Sequence, residues 1–198
     1  MLRLRKGCKA PFPEQLEEGY EYREPWFTAN VHADKIERLL THFIAIHDEP
    51  VFFVLEVPSK QDAETEIRPG IVERLHKDVY YIDGCTQEKA LAIWSKVSAI
   101  VIHDGLCAFG FGCHLSHDEI MVGKYNVVSL YTKNKENFDG FFEKHEIPQV
   151  ENLITAWDTF TQDAPGETSR VDTEETSIYD IPDMLQEWGM YLAERRED

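Results

Sequence analysis

The chain has 198 residues, 42% of them hydrophobic and 12% aromatic, and its 37 acidic side chains outnumber 20 basic ones for a formal net charge of −17. This length and apolar content suffice for one domain that buries about 70% of the surface its unfolded chain exposes, which excludes a chain disordered throughout. The acidity makes nucleic acid and anionic membrane poor partners, costs stability through self-repulsion, and attracts a basic protein surface over a long range.

The charge is unevenly spread. Residues 1–10 carry Arg3, Arg5, Lys6 and Lys9 and no acid, whereas 158–198 set twelve acids against Arg170, Arg195 and Arg196. Cys8, Cys85, Cys107 and Cys113 form no Cys-x-x-Cys pair, a usage that fits a reducing cytoplasm better than a disulfide scaffold or a zinc ribbon. The basic start is followed by Lys9, Ala10, Pro11, Phe12, Pro13 and Glu14, without the apolar run of an export signal. No apolar stretch is long enough to span a bilayer, so a soluble protein is expected.

In chain order, Asp34 and Glu37 form a capping-box pattern, and Ile36, Leu39, Leu40, Phe43, Ile44 and Ile46 recur at helical spacing, which predicts an amphipathic helix over 34–47. Residues 51–57 form a continuous apolar run of strand length, read as a central strand covered on both faces. Residues 58–70 read as an exposed, charged loop. A second strand is expected over 76–83, ended by Asp83-Gly84. Thr86 caps a helix bearing Ala90, Leu91, Trp94, Val97 and Val101, stopped at Asp104-Gly105.

Residues 106–115 alternate, with Cys107, Phe109, Phe111 and Cys113 toward the core and Ala108, Gly110, Gly112 and His114 on the other face, where a helix or a ligand has room to lie close. A strand over 120–132, bent at Gly123, should pair with it as a hairpin. Asn134 opens a helix carrying Phe138, Phe141 and Phe142. A further helix is expected over 150–160 with Leu153, Ile154, Trp157 and Phe160 on one stripe. Residues 161–177, with Pro165, Gly166 and little apolar content, read as an exposed acidic loop or linker. A closing helix from Asp180 and Pro182 should bury Met184, Leu185, Trp188, Tyr191 and Leu192. This irregular order points to a single α+β domain over 1–198, with a four- or five-stranded, largely antiparallel sheet packed with helices.

The densest chemistry lies in Cys113-His114-Leu115-Ser116-His117-Asp118-Glu119. Zinc accepts each of its polar ligand types, but no His-Glu-x-x-His order or second ligand pair completes a site, so His114 and His117 are weak metal candidates and a hydrogen-bonded turn is the simpler reading. Cys107 and Cys113 sit on the buried face, where a thiol is inert. There is no phosphate loop and no nucleophile elbow, and His42 and His47 need no role beyond a helix flank and a helix C-terminus. The sequence therefore assigns no catalytic residue and no cofactor. Two candidate contact surfaces remain. One is an exposed strand edge around His117, Asp118, Glu119, Lys124 and Tyr125, which mixes charge with Tyr and Met. The other is the acidic stretch containing Asp172, Glu174, Glu175, Asp180 and Asp183.

A small, cytosolic, strongly acidic α+β chain without catalytic motifs resembles, at the level of a class, the immunity proteins with which bacteria neutralise polymorphic or contact-dependent toxins. The resemblance lies in size and acidity over the whole chain and carries no motif across. It implies tight binding to a basic cognate toxin domain, often a nuclease, with carboxylates occupying the surface meant for nucleic acid. A DNA-mimic inhibitor shares these electrostatics. From another class, a metal-dependent hydrolase would draw on His114, His117, Asp118 and Glu119.

Overall fold

A computed structural model describes residues 1–59, 66–68, 71–72 and 76–197. The architecture is α+β, built on an antiparallel sheet of eight strands where four or five were expected. Across the sheet the strands run β12 (Tyr191–Glu197), β7 (His76–Cys85), β4 (Val51–Pro58), β8 (Ala108–Cys113), β9 (Glu119–Val122), β10 (Val127–Tyr131), β3 (Trp26–Asn30) and β2 (Gly19–Arg23). Two short ladders stand apart: β1 (Cys8–Lys9) with β11 (Glu167–Thr168), and β5 (Glu66–Arg68) with β6 (Ile71–Val72). Of the loop expected over 58–70, positions 60–65 and 69–70 lie outside the described residues. Among those described, no helix is long and apolar enough to cross a membrane.

The period-2 pattern of β4 and β8 explains the core. Phe53, Leu55 and Val57 alternate inward beside Phe109 and Phe111, and α1 (Ala33–Ile46), α2 (Gln87–Val101) and α3 (Glu136–Lys144) cover that face with Ile36, Leu40, Phe43, Trp94, Val97, Phe138 and Phe142. Thr86 caps α2 by accepting from the Lys89 N–H, as its sequence predicts. On the opposite face the small residues of β8 have a definite use. A Cβ at Gly112 would stand 2.2 Å from the Phe52 ring, and one at Gly110 1.9 Å from the Ile120 carbonyl oxygen and 2.7 Å from the Met121 sulfur. The space read as room for a helix or ligand is therefore filled from within, by Phe52 and the adjacent strand.

Three expected elements differ. The strand read over 120–132 is two strands, because Tyr125 and Asn126 adopt left-handed backbone (φ 57° and 63°) and turn the chain back along itself. The helix read over 150–160 shrinks to one turn, α4 (Ala156–Thr159). Upstream of it the backbone is committed elsewhere: Val150 N–H donates to the Tyr20 carbonyl, Leu153 N–H to the Glu21 carboxylate, and the Ile154 carbonyl accepts from Asn30. Trp157, expected inward, is 51% exposed. The closing helix is α5 (Ile181–Met184) and a 3-10 turn over Gln186–Trp188, stopped by Gly189 at φ 90°. Tyr191 and Leu192 then enter the outermost strand and stay half-exposed.

The basic N-terminus is woven into the body. Arg3 grips Asp34 with two contacts of 2.7 and 2.8 Å, its carbonyl accepts from Ala33 N–H, and Gly7 N–H donates to the His103 carbonyl. Gly7 crosses Gly105 so closely that a Cβ on Gly105 would lie 1.9 Å from the Gly7 carbonyl oxygen. Gly105→Ala should therefore cost about 1–3 kcal/mol as backbones are forced apart, read as a lower urea midpoint at unchanged slope. The edge strand β12 depends on buried Asp78, which receives Arg195 at 2.6 and 3.1 Å and Ser59 at 2.6 Å. Burial pushes this carboxyl up, but those hydrogen bonds and the Arg195 charge outweigh it and hold it below the usual range. A depressed carboxyl stabilises the fold above its unfolded value and loses that contribution as pH falls through its folded one. Asp78→Asn should thus cost about 1–2 kcal/mol at pH 7, with the gap to wild type closing in unfolding curves taken below about pH 4.

Candidate functional site

The C-terminal acidic stretch is tied to the body at several points, one of them a buried carboxylate. Asp104 follows α2 with no measurable exposure. Its Oδ1 accepts from the Leu106 and Cys107 N–H groups at 2.7 and 3.2 Å, and its Oδ2 accepts from Val171 N–H at 3.0 Å. Ser169 bonds Gly7 and Gly105 backbone on either side, and β11 lies along β1. Residues 161–177 are largely exposed and, from Glu167 on, hydrogen-bonded to the body as a ridge.

The tip of this ridge has unusual geometry. Thr173 and Thr176 exchange backbone hydrogen bonds of 2.9 Å each way, enclosing Glu174 and Glu175 at φ 50° and 64°. Two consecutive left-handed residues make a primed two-residue turn, a site that favours Asn-Gly and that costs on the order of 1 kcal/mol or more per ordinary side chain. Both glutamates are exposed, and Thr173 Oγ1 ties the turn to the Ala99 carbonyl near the end of α2. Asp172 and Asp183 are exposed as well; Asp172 pairs with Arg170 at 2.9 Å. Asp180, also exposed, spends one oxygen capping Ser177 through N–H and Oγ at 2.8 and 2.7 Å. Glu174, Glu175 and Asp183 have no ion-pair partner among the described residues. The sequence marked these acids by charge alone, whereas Asp104, read there only as a helix stop, joins Ser169, Thr173 and the buried Ile178 and Ile181 in tying the stretch to the body.

The second candidate surface is divided. β9 runs between β8 and β10, so the stretch from His117 to Tyr125 is no exposed edge. Asp118 is buried, with Oδ2 3.1 Å from His47 Nε2, while His47 Nδ1 donates to the Phe43 carbonyl at 2.7 Å. His47 is thus a buried partner of the turn, where its sequence position gave only a helix terminus. Tyr125 is buried between the rings of Trp157 and Phe160, each about 5.0 Å away, and Lys124 is half-buried. His117 is exposed on a left-handed residue (φ 64°) and Glu119 on the open sheet face, where burial and the nearby Glu56 charge raise its carboxyl above the usual range. His114 lies over Phe52 at 4.8 Å and contacts Asp83 at 3.2 Å. The Tyr191 hydroxyl, which donates to the other Asp83 oxygen at 2.5 Å, and His114 together hold that carboxyl low. These groups line an open pocket of about 540 Å³.

The set His114, His117, Asp118 and Glu119 does not converge, because Asp118 turns inward to His47 and His114 outward to Asp83. Among the described residues no group of three or more His, Cys, Asp or Glu could hold a metal ion. Burial pushes the Cys107 and Cys113 thiols up to about 12, far from a nucleophile's range. Comparison with protein-family models, with curated proteins and with solved structures finds no match to this chain. All four cysteines are buried and free. Native protein at pH 8 should therefore resist alkylation by iodoacetamide and react at four sites in denaturant, as counted by intact mass; fast native modification of Cys113 would restore a thiol mechanism.

Proposed function

We propose that the protein is an acidic cytoplasmic binding protein that neutralises a basic cognate protein, as immunity proteins do for a toxin domain, and that the ridge bearing Asp172, Glu174, Glu175, Asp180 and Asp183 is its contact surface. The observation that carries this reading is the Thr173–Thr176 turn. Strain retained in an exposed loop needs a reason outside folding, and two carboxylates held at its tip on a pinned base lose little freedom on meeting a cationic surface. The excess of 37 acids over 20 basic residues adds long-range attraction for such a surface. His117, in the turn between β8 and β9, and Glu119, at the start of β9, are the accessible members of the hairpin cluster and belong to the contact only if it is large.

Two measurements test the reading. Immobilised protein in lysate of its native organism should retain one stoichiometric basic protein through a wash at about 0.5 M salt, where exposed charges are strongly screened; heterogeneous capture lost at that salt counts against it. Replacing Asp172, Glu174 and Glu175 together with Lys should slow association with that partner at least about tenfold and flatten its salt dependence. An unchanged association rate removes the ridge from the contact.

A further inference from the structure

The groove between α1 and α3 runs against the charge of the molecule. It encloses about 750 Å³ and is lined from α1 by Glu37, Arg38, Thr41, His42 and Ala45, and from α3 and its end by Asn137, Gly140, Phe141, Lys144 and His145. On each helix these positions recur at three- and four-residue spacing, so each contributes one stripe. Phe141 and the two histidines form a continuous aromatic wall: His42 to Phe141 is 5.1 Å between centroids, and Phe141 to His145 is 4.2 Å. His42 is fixed by its Nε2, which donates to the Asn137 carbonyl at 2.8 Å. At Gly140 a Cβ would meet nothing within 4 Å, so the space is open there.

Arg38 and Lys144 stand exposed at the groove, one on each helix, and neither has an ion-pair partner among the described residues. In a chain with almost two acids for each basic residue, two such cations on one cleft are a departure that core packing does not require. Lys35 is different, since it is shared between Glu18 at 2.5 Å and the His145 carbonyl at 2.6 Å. Glu37 is the one carboxylate in the lining. The volume falls within the range of small-molecule sites, whose usual form is an apolar wall with a few convergent polar groups.

We propose that this groove binds a planar organic anion, an aromatic ring lying along His42, Phe141 and His145 with its carboxylate or phosphate held by Arg38 and Lys144. A guanidinium matches either head group with two parallel hydrogen bonds, and the ammonium adds a compact charge from the other side. The site lies on helices away from the acidic ridge and stands or falls independently of it. His145 reports on occupancy: burial and the charges of Arg38, Lys144, Lys35 and His42 lower its pKa, and an anion set among those cations offsets them.

The experiment is a titration followed by correlation spectra of the histidine rings, with benzoate as probe, benzyl alcohol as the same ring without charge, and acetate as the charge without a ring. Benzoate should shift the His42 and His145 signals saturably with Kd of about 1 mM or tighter and raise the protonation midpoint of His145, while benzyl alcohol and acetate bind at least about tenfold more weakly. Arg38→Gln and Lys144→Gln should each weaken benzoate about five- to tenfold with unchanged unfolding midpoints, since both side chains are exposed and unpaired. Equal binding of benzyl alcohol, identical affinity in both variants, or no saturable shift would each overturn the site.

Discussion

The peptide of Cys107 sits between two buried charges of opposite sign. Its N–H donates to Asp104, and its carbonyl accepts from Arg5 Nη2 at 3.2 Å. Arg5 is 1% exposed, its guanidinium 5.8 Å from the centre of the Phe109 ring, and its Nε and Nη1 find no partner among the described residues. Leaving such groups unsatisfied is expensive, so the N-terminal strand, the end of α2 and the start of β8 must hold together strongly enough to keep them in place. Asp104 is the favourable half of the arrangement: three backbone donors replace its lost water, and one of them, from Val171, brings in the acidic ridge. The start of the exposed acidic stretch is therefore tied in part to a carboxylate that water does not reach.

Legibility in the sequence followed periodicity. Helices α1 and α2, strands β4, β7 and β8, and the inward faces of Phe109, Phe111, Phe138 and Phe142 were readable because each buries a regular apolar stripe. The elements that escaped lack one. β2 and β3 lie in a stretch of mixed polar and aromatic residues, and β12 follows Tyr191, Leu192 and Ala193 with four consecutive charges, with no period-2 pattern to mark a strand. Around 150–160 the helical spacing was present, but side chains of Asn30 and Glu21 and the Tyr20 carbonyl took the backbone groups a helix would need. Local pattern carries no information about such distant partners.

The candidate site was legible only as charge. Composition drew attention to Asp172, Glu174, Glu175, Asp180 and Asp183, yet nothing local distinguished glutamates held at the tip of a strained turn from an aspartate that caps its own loop. In the hairpin cluster, where six polar residues crowd into positions 113–119, the hydrogen-bonded turn was the simpler reading, but the directions its side chains take were not legible. The turn over 114–116 and the left-handed backbone of His117 (φ 64°) send Asp118 inward to His47 and leave His114 against Asp83. The α1–α3 groove was hidden for a related reason, since its two walls lie about a hundred residues apart and each reads separately as an ordinary solvated helix face.

An open sheet of eight strands has two margins, β12 and β2, the second partly covered by residues 148–150, and an unpaired row of backbone donors and acceptors is a template for another chain. On β12 the strand carries Glu194, Arg195 and Arg196, with a register break between Leu192 and Glu194 and a further contact from Arg196 to Glu56. On β2 it carries Glu21 and Arg23 as a close pair. Charged side chains and a bulge at these margins discourage stacking of one molecule on the next, which a chain with half-exposed Tyr191, Leu192 and Trp26 would otherwise invite. Part of the ionic content of this protein thus sits at the sheet margins, where it discourages fibre-like self-association.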